Sequence, residues 1–341
     1  MPAELSSRHM RLRLLQLGAI VAVVAGVILL LPGLGSLRDQ LAAASPGWLA
    51  LAALLEVASA LSYVVIFRAV FCRRMPWRLS YQIGMAEQAA NSLLPAGGAG
   101  GLALGVWALR RSGMSADHIA RRTVAFFLLT SLANFATLIL FAAGFALGIF
   151  GADPAPAVTL GFGAAAAVAI GLGLAVPALS SRFDAHLRRG GRIRTLLRRG
   201  AEALGGGVTD SLALLRRGNV GVIGGSLGYM AFDIAVLGVS FRAFGHAPSL
   251  GILVVAYIIG QLGGLLPIPG GIGGTEGGLL GAFALYHVSL TAAATAILAY
   301  RALQLWIPAA LGSVAFVQLR HSLAREPKQA ALRPLAETAP V

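Results

Sequence analysis

Long apolar segments recur along this chain, and their length restricts what it can fold into. A helix needs about 20 apolar residues to cross the hydrocarbon core of a bilayer, where only helices and closed barrels satisfy every backbone polar group. Six segments are long enough: Leu14–Leu31, Trp48–Phe71, Thr123–Phe150, Ala157–Leu179, Val220–Phe244 and Thr291–Leu319. Composition agrees, because 12% of the 341 residues are charged, against about 25% in a soluble domain. We predict an all-α, polytopic membrane protein.

The first apolar segment, Leu14–Leu31, follows three arginines and therefore has an alternative interpretation as a signal peptide. Ala42–Ala44 would be a passable small-residue cleavage site. The apolar run, however, exceeds the roughly 7–15 residues of a signal peptide's apolar core. A first membrane span is the interpretation that we carry forward.

Two more apolar segments, Tyr81–Leu109 and Leu250–Tyr286, are each interrupted by a run of glycine and proline with nearly the same sequence. Asn91–Gly101 reads NSLLPAGGAGG, and Gly264–Gly274 reads GLLPIPGGIGG. Proline removes a backbone donor and glycine weakens a helix, and irregular backbone at membrane depth persists only inside protein or beside a wet cavity. The sequence predicts two broken segments that leave polar backbone near the midplane. Kinks at glycine-rich helix contacts are the alternative.

The distribution of arginine predicts the topology, since short cytoplasmic loops are rich in positive residues. Both flanks of the first broken segment are basic: Arg73, Arg74 and Arg78 precede it, and Arg110, Arg111, Arg121 and Arg122 follow it. The second has only Arg242 and His246 before it and His287 after it. We therefore expect two re-entrant hairpins that enter from opposite faces, with both termini cytoplasmic in a bacterial inner membrane.

The order span, span, hairpin, span occurs twice. The same interval separates Leu93 from Leu265, where the broken runs begin, and Trp48 from Val220, where two spans begin. This is the pattern of an inverted-topology repeat, whose paired interrupted segments mark the binding site. We predict a basic cytoplasmic N-terminus at 1–13, a membrane domain at 14–320 and a tail at 321–341. Within the membrane domain we place repeat one at 14–150, repeat two at 157–319 and a basic cytoplasmic loop at 180–218.

Five charged residues fall inside these apolar segments: Glu56, Glu87, Asp233, Glu276 and Arg301. Each costs at least about 2.5–3.5 kcal/mol at the bilayer centre, so each should face protein or water and have a partner. Structural pairing explains any one of them. Four acids cannot all pair with one base, so some must be protonated, hydrated, or paired with Arg68, Arg110 or a ligand cation.

Glu276 and Arg301 are the leading candidates for a functional pair. Glu276 follows the second glycine run, where a helix N-terminus favours an anion, and Arg301 offers a planar fork suited to phosphate. The predicted substrate-binding set is Asn91, Pro95, Gly97, Gly98, Gln261, Pro267, Gly270, Gly271, Glu276 and Arg301. Glu87, Asp233 and Glu56 are candidates for carrying a coupling proton.

Several function classes find no support in the motifs. Neither glycine run completes GxGxxG or GxxxxGK[ST], and neither follows a strand pattern, which argues against a nucleotide-phosphate loop. The six histidines and the single cysteine show no metal-ligand spacing. No serine-histidine-acid or cysteine-histidine arrangement appears. We therefore predict a protein that is not an enzyme, with no cofactor and no metal.

The net charge of +14 is interpreted as a cytoplasmic membrane surface rather than a nucleic-acid site, because the arginines lie between apolar segments. Ser180–Gly218 carries nine arginines against three acids, with leucines and Ile193 interleaved. It predicts either an interfacial amphipathic helix on anionic lipid or a solvated loop. The expected partners are membrane lipids with an anionic or phosphate-bearing headgroup. A second copy of the chain or a biosynthetic enzyme remains open as a further partner.

The broken segments resemble the signatures of a known family. ANSLLPAGGAGGLALGVWALRR at Ala90–Arg111, PIPGGIGGTEGGLLGAF at Pro267–Phe283 and AYRALQLWIPAALG at Ala299–Gly312 are similar to the lysylphosphatidylglycerol synthase transmembrane family, also called the flippase-like domain family. The resemblance covers roughly Leu14–Arg320. It implies a domain that moves lipids between leaflets, including aminoacylated phosphatidylglycerol. About twenty residues follow the last span, so we expect a stand-alone member without the soluble aminoacyl-transferase domain.

Together these features predict translocation of a phospholipid or lipid-linked substrate between membrane leaflets. Two alternatives stay open at this point. One is a membrane enzyme, or a subunit of one, in glycolipid or envelope polysaccharide assembly. The other is a secondary transporter of a small solute or ion built on the same inverted repeat.

Overall fold

The computed structural model describes residues 44–93, 99–151, 153–187, 192–265 and 273–325. This part of the chain forms ten α-helices and no strand. The helices are α1 (Pro46–Phe71), α2 (Trp77–Leu93), α3 (Ala99–Arg111), α4 (Ala116–Ala146), α5 (Pro156–Leu187), α6 (Arg192–Arg216), α7 (Val220–Ala243), α8 (Leu250–Gln261), α9 (Gly274–Leu285) and α10 (Leu290–Arg325). A short 3-10 turn, Leu262–Leu265, extends α8.

Five helices are long and apolar enough to cross a membrane: Pro46–Phe71, Ala116–Ala146, Pro156–Ser180, Val220–Ala243 and Leu290–Leu323. They match five of the six predicted spans, with ends that differ by no more than a few residues apart from one earlier start at Ala116. The remaining predicted span, Leu14–Leu31, lies outside the described residues. The prediction of an all-α protein with several spans is confirmed for the described part of the chain.

Capping residues place several of the helix starts. Ser115 accepts a hydrogen bond from the His118 amide at the start of α4. Asn219 does the same for Gly221 at the start of α7, at 3.1 Å. These side chains satisfy amides that a helix leaves without an internal partner. The chain therefore defines where its helices begin even within a nearly uniform apolar sequence.

Two pairs of short helices fold back on themselves where the sequence breaks. In the first pair, α2 and α3, a Cβ on Gly101 would lie 2.4 Å from Asn91 Oδ1 and one on Gly105 would lie 1.5 Å from Glu87 Oε1. As the numbers rise along α3 they fall along α2, so the two helices are antiparallel and packed at glycine-only distance. The short helices of both pairs contain 12 to 17 residues. At 1.5 Å per residue none reaches across a core of about 30 Å.

The second pair, α8 and α9, packs in the same way. A Cβ on Gly278 would lie 2.5 Å from the Gly260 carbonyl oxygen, and one on Gly263 would lie 2.0 Å from that of Gly274. Glycine at these positions allows backbone to touch backbone. The tips of both pairs, 94–98 and 266–272, lie outside the described residues, and with them Pro95 and Pro267.

The centre of the molecule is the crossing of α1 and α7. A Cβ on Gly225 would lie 2.7 Å from the Ile66 amide nitrogen, and Ser59 Oγ donates to the Tyr229 carbonyl at 3.1 Å. The order of these contacts makes α1 and α7 antiparallel. Helix α10 packs against both α2 and α9, so it contacts one helix from each pair.

Helix α6 resolves one alternative that the sequence left open. Residues Arg192–Arg216 are helical, so the solvated-loop interpretation is wrong for them, and α5 continues past its predicted end to Leu187. Helix α6 packs against α4 and α5. Its glycine run permits this, since a Cβ on Gly207 would meet Val124 at 2.5 Å and one on Gly205 would meet Ser180 Oγ at 2.3 Å.

Candidate functional site

Asp233 is the centre of a buried hydrogen-bond network built by α7, α8 and α10. Its Oδ2 accepts from Tyr257 at 2.6 Å, from Tyr300 at 3.0 Å and from Gln304 at 3.0 Å. Gln261 donates to the Tyr300 hydroxyl at 3.2 Å. These five residues, which we call the Asp233 cluster, surround the acid with three donors, one of which accepts a hydrogen bond from Gln261. Asp233 is 5% exposed and Tyr300 is fully buried.

Arg301 connects this cluster to the second broken segment. Its Nε lies 2.8 Å from Glu276 Oε1, with the two side chains 8% and 20% exposed, and its guanidinium also donates to Gln304 Oε1. Glu276 Oε2 accepts from the Gly273 amide at 2.6 Å. One carboxylate therefore binds both the arginine and the amide of the N-cap residue of α9, at the helix end where the dipole favours negative charge. The network runs without interruption from the helix break to Asp233.

The first broken segment carries a different set of groups. Glu87 accepts from Tyr63 at 2.9 Å, and Asn91 Oδ1 accepts from the Gly101 amide at 2.8 Å. Gly101 is in the first turn of α3, where amides lack helical partners, so Asn91 closes the break. Gly105 provides the space in which the Glu87 carboxylate lies.

A cavity of about 180 Å³ opens beside Glu87. Its lining combines hydroxyl, amide and carboxylate groups with a larger apolar wall: Tyr63, Phe71, Glu87, Asn91, Leu102, Val106, Leu109, Thr123, Phe126, Phe127, Thr130 and Tyr229. Small-molecule sites are typically concave and apolar with a few polar groups that fix orientation. This cavity has that character, and it joins a broken segment to α1, α4 and α7.

Glu56 and Tyr229 lie between the two regions. Glu56 is 3% exposed on α1, and its Oε2 has no hydrogen-bond partner among the described residues. It lies within electrostatic range of Asp233 and Arg301. Tyr229 lies within electrostatic range of Glu56 and Asp233, and its ring centroid is 5.6 Å from that of Tyr63. Buried and half-buried polar side chains thus occur from Glu87 to Glu276.

The structure brings the described candidates of the second repeat together. Gln261, Asp233, Glu276 and Arg301 share one network, with Glu56 beside it, whereas Asn91 and Glu87 lie at the cavity. The other candidates fall outside the described residues: Pro95, Gly97, Gly98, Pro267, Gly270 and Gly271. Within the described residues, no group of three or more histidine, cysteine or acidic side chains could hold a metal ion.

Two arginines that the sequence offered as partners for the buried acids contact other groups. Arg68 Nε donates to the Met75 carbonyl at 2.8 Å, and its guanidinium lies 4.3 Å from the Trp77 ring centroid. Arg110 donates to the Met114 carbonyl at 3.4 Å. Both lie at helix ends, where a long side chain reaches free carbonyls.

Sequence reasoning missed the neutral members of the network, Tyr63, Tyr229, Tyr257, Tyr300 and Gln304. A usable signal was present at helical spacing. Tyr257 precedes Gln261 by four residues, and Gln304 follows Arg301 by three, so each pair shares a helix face. Attention to charges alone passed over these polar neighbours.

Comparison with known proteins supplies the family. The family model for the lysylphosphatidylglycerol synthase TM region matches residues 16–312, a range that includes both broken segments, the Asp233 cluster and the cavity. The curated proteins and the solved structures that were compared gave no match. Since the matched range covers most of the 341 residues, the chain belongs to the lysylphosphatidylglycerol synthase transmembrane family.

Proposed function

We propose that this protein translocates a phospholipid or lipid-linked substrate between membrane leaflets, and that the headgroup is held at the two broken hairpins near the bilayer midplane. The observation that carries the proposal is the series of buried and half-buried polar side chains between Glu87 and Glu276. Such groups are expensive within an apolar protein. A polar headgroup that crosses the bilayer needs such a route.

The proposed topology has six spans, two re-entrant hairpins and cytoplasmic termini. Three features support it: the short antiparallel helix pairs, the arginine-rich flanks of the first pair, and the antiparallel crossing of α1 and α7. In an inverted repeat, α7 would be the counterpart of α1, and α8 with α9 the counterpart of α2 with α3. The two pairs would then enter from opposite faces.

Arg301 and Glu276 are proposed to receive the phosphate. The guanidinium has five N–H donors, and a substrate phosphate would compete with Glu276 for them. The amides at the broken tips, together with Asn91 and Gln261, would complete the binding site. Pro95, Gly97, Gly98, Pro267, Gly270 and Gly271 are proposed to keep those amides outside regular helix.

Glu56, Asp233 and Glu87 are proposed to carry a coupling proton. The support is geometric, since Glu56 Oε2 is buried with no hydrogen-bond partner among the described residues and faces Asp233. Glu56 and Asp233 are two buried acids beside one ion pair, so the charge of the site would be better balanced if a cation arrived with the substrate. Replacing Glu56 with Gln should therefore stop driven transport while leaving the protein folded.

The test is a leaflet assay in proteoliposomes of purified protein with fluorescent phosphatidylglycerol or phosphatidylethanolamine. We expect a protein-dependent rise in the lipid accessible to an external quencher, with the lipid mass unchanged. Arg301→Gln should remove most of that rise, whereas Arg320→Gln, an exposed site on the same helix, should keep it.

The same assay discriminates the other function classes. A change in lipid mass would favour an enzyme of lipid-linked sugar assembly, and solute flux without lipid movement would favour a small-solute or ion transporter. Full activity in Arg301→Gln would remove the ion pair from the site.

A further inference from the structure

A cluster of arginines lies where α4 meets α6. Arg121 Nη2 is 2.7 Å from Asp210 Oδ1, and Arg122 Nε is 3.7 Å from Asp210 Oδ2. Asp210 is 2% exposed, whereas the Arg121 side chain is 44% exposed. Arg217 also interacts electrostatically with Arg122. Two guanidinium groups thus share one carboxylate, which leaves an excess of positive charge at this pair.

The donors of this cluster are not used up by Asp210. Arg121 donates to Asp210 through Nη2, and its side chain is 44% exposed, so part of its guanidinium is accessible to an arriving anion. A guanidinium carries five N–H donors in a fork that matches the oxygens of a phosphate. His118, the other titratable group facing the cluster, is already hydrogen-bonded through Nε2 to the Phe71 carbonyl, at 3.1 Å. The cluster therefore retains capacity for an anion.

An apolar groove of about 90 Å³ begins beside the arginine cluster and lies between α4, α5 and α6. Leu128 and Leu132 from α4, Gly173 from α5, and Leu212 and Leu215 from α6 are among its lining residues. Apart from two serines the lining is apolar. The groove has room for part of a hydrocarbon chain and offers nothing to a polar ligand.

The groove and the cluster are continuous along the chain. Ser211, which lines the groove, directly follows Asp210 and donates to the Ala125 carbonyl at 3.5 Å. Ala125 lies one turn after Arg121 on α4. A molecule with a charged head and an apolar tail could therefore contact both features at once.

We propose that α4, α5 and α6 form a binding site for an anionic phospholipid, with its phosphate at Arg121 and Arg122 and one acyl chain in the groove. Basic pockets between transmembrane helices select acidic headgroups in this way. The groove shares no lining residue with the cavity beside Glu87, and the proposal does not rest on the proposed function. Because Asp210 is held by the same arginines, a bound lipid would fasten α6 to α4.

The experiment measures lipid binding to the purified full chain in a nonionic detergent. Phosphatidylglycerol and phosphatidylcholine with identical acyl chains are titrated in turn, and bound lipid is counted by native mass spectrometry. We expect phosphatidylglycerol to bind at least about tenfold more tightly, because both lipids offer a phosphate but the choline cation of phosphatidylcholine is repelled by the arginines. Binding of phosphatidylglycerol should weaken as salt rises. Inorganic phosphate should not compete at matched ionic strength.

Two variants with matched controls locate the site. Arg121→Gln should weaken phosphatidylglycerol binding about tenfold, whereas Arg320→Gln should not. Gly173→Leu places a side chain in the groove from a position where a Cβ meets nothing within 4 Å, and Gly171→Leu does so on the same helix outside the groove lining. Only Gly173→Leu should weaken binding.

Several results would overturn the proposal. Equal affinity for the two lipids, unchanged binding in Arg121→Gln, or competition by phosphate alone would each contradict a lipid site at this place. The melting temperature of each variant is measured beside its lipid binding, so that a folding defect in Arg121→Gln is recognised. If Arg121→Gln is misfolded, the binding of phosphatidylglycerol to Gly173→Leu tests the proposal instead. Loss of transport with binding intact would concern the proposed function alone.

Discussion

The two broken segments have nearly the same sequence at their glycine-proline runs, but different side chains surround them. In the first, a neutral amide from Asn91 closes the break, and Glu87 has a tyrosine partner beside an open cavity. In the second segment a charged pair takes the place of the amide, since Glu276 binds both the Gly273 amide and Arg301. Similar sequence is therefore flanked by a similar pair of short antiparallel helices in each case. The side chains that converge on each break specify what it can bind.

The difference indicates a division of roles between the segments. A guanidinium beside a helix start suits an anion, whereas a carboxylate among aromatic rings and hydroxyls suits a neutral or cationic group. A headgroup with both characters could contact the two segments at once.

The largest expected effect is in topology, because labelling from one side is all or none. In a Cys72→Ala background, Arg74→Cys and Ala116→Cys flank the first pair at exposed positions, and His246→Cys and Ser289→Cys flank the second. If the pairs are re-entrant from opposite faces, a membrane-impermeant maleimide should label both members of each set from one side only, and the two sets from opposite sides. Labelling of one set from two sides would make that pair an ordinary span.

The next largest effect should come from breaking the charged pair. Arg301→Gln leaves Glu276 without its cation, and breaking a buried ion pair costs about 3–5 kcal/mol, toward the lower end because Glu276 keeps 20% exposure. The double variant Arg301→Gln with Glu276→Gln should regain most of that stability, measured as the melting temperature in detergent.

Transport separates a binding role from a structural one in this pair. The double variant should stay inactive in the leaflet assay although its stability returns. Recovery of transport together with stability would mean that the pair holds the fold and does not contact the substrate.

Much of the fold could be predicted from the sequence because its determinants are local. Trp48–Phe71 and Val220–Phe244 matched observed helices, since twenty apolar residues in a row specify a span whatever packs around them. The ends of α2 and α8 could also be predicted, because proline and glycine disfavour helix through their own backbone.

The site could be predicted only in part, because it depends on contacts between side chains of different helices. Each charged candidate stood out within an apolar run, yet nothing local places Tyr257 of α8 and Tyr300 of α10 on one carboxylate of α7. Arg68 shows the converse, since it resembled a partner for a buried acid and instead contacts its own turn at Met75 and Trp77. Long-range pairing is a property of packing, which a single sequence does not state.

Helices α8 and α9 should tolerate added side chains at some glycines and not at others. Gly278→Ala would place a Cβ 2.5 Å from the Gly260 carbonyl oxygen, whereas Gly277→Ala meets nothing within 4 Å. We expect Gly278→Ala to destabilise by about 1–3 kcal/mol through overpacking, and Gly277→Ala to stabilise by up to about 1 kcal/mol through helix propensity. Melting temperatures of this adjacent pair test whether α8 and α9 are in backbone contact; equal shifts would contradict it.

The smallest expected effect compares the two buried acids through their tyrosines. Glu87 has Tyr63 as its hydrogen-bond donor among the described residues, whereas Asp233 has Tyr257, Tyr300 and Gln304. Tyr63→Phe should therefore leave an acceptor unsatisfied and cost about 1–3 kcal/mol, while Tyr257→Phe, which leaves two donors in place, should cost about 1 kcal/mol. Unfolding in a denaturing detergent series measures both. If Tyr257→Phe proved the more damaging, the Asp233 cluster would depend on that one donor, and Glu87 would be hydrated by the cavity beside it.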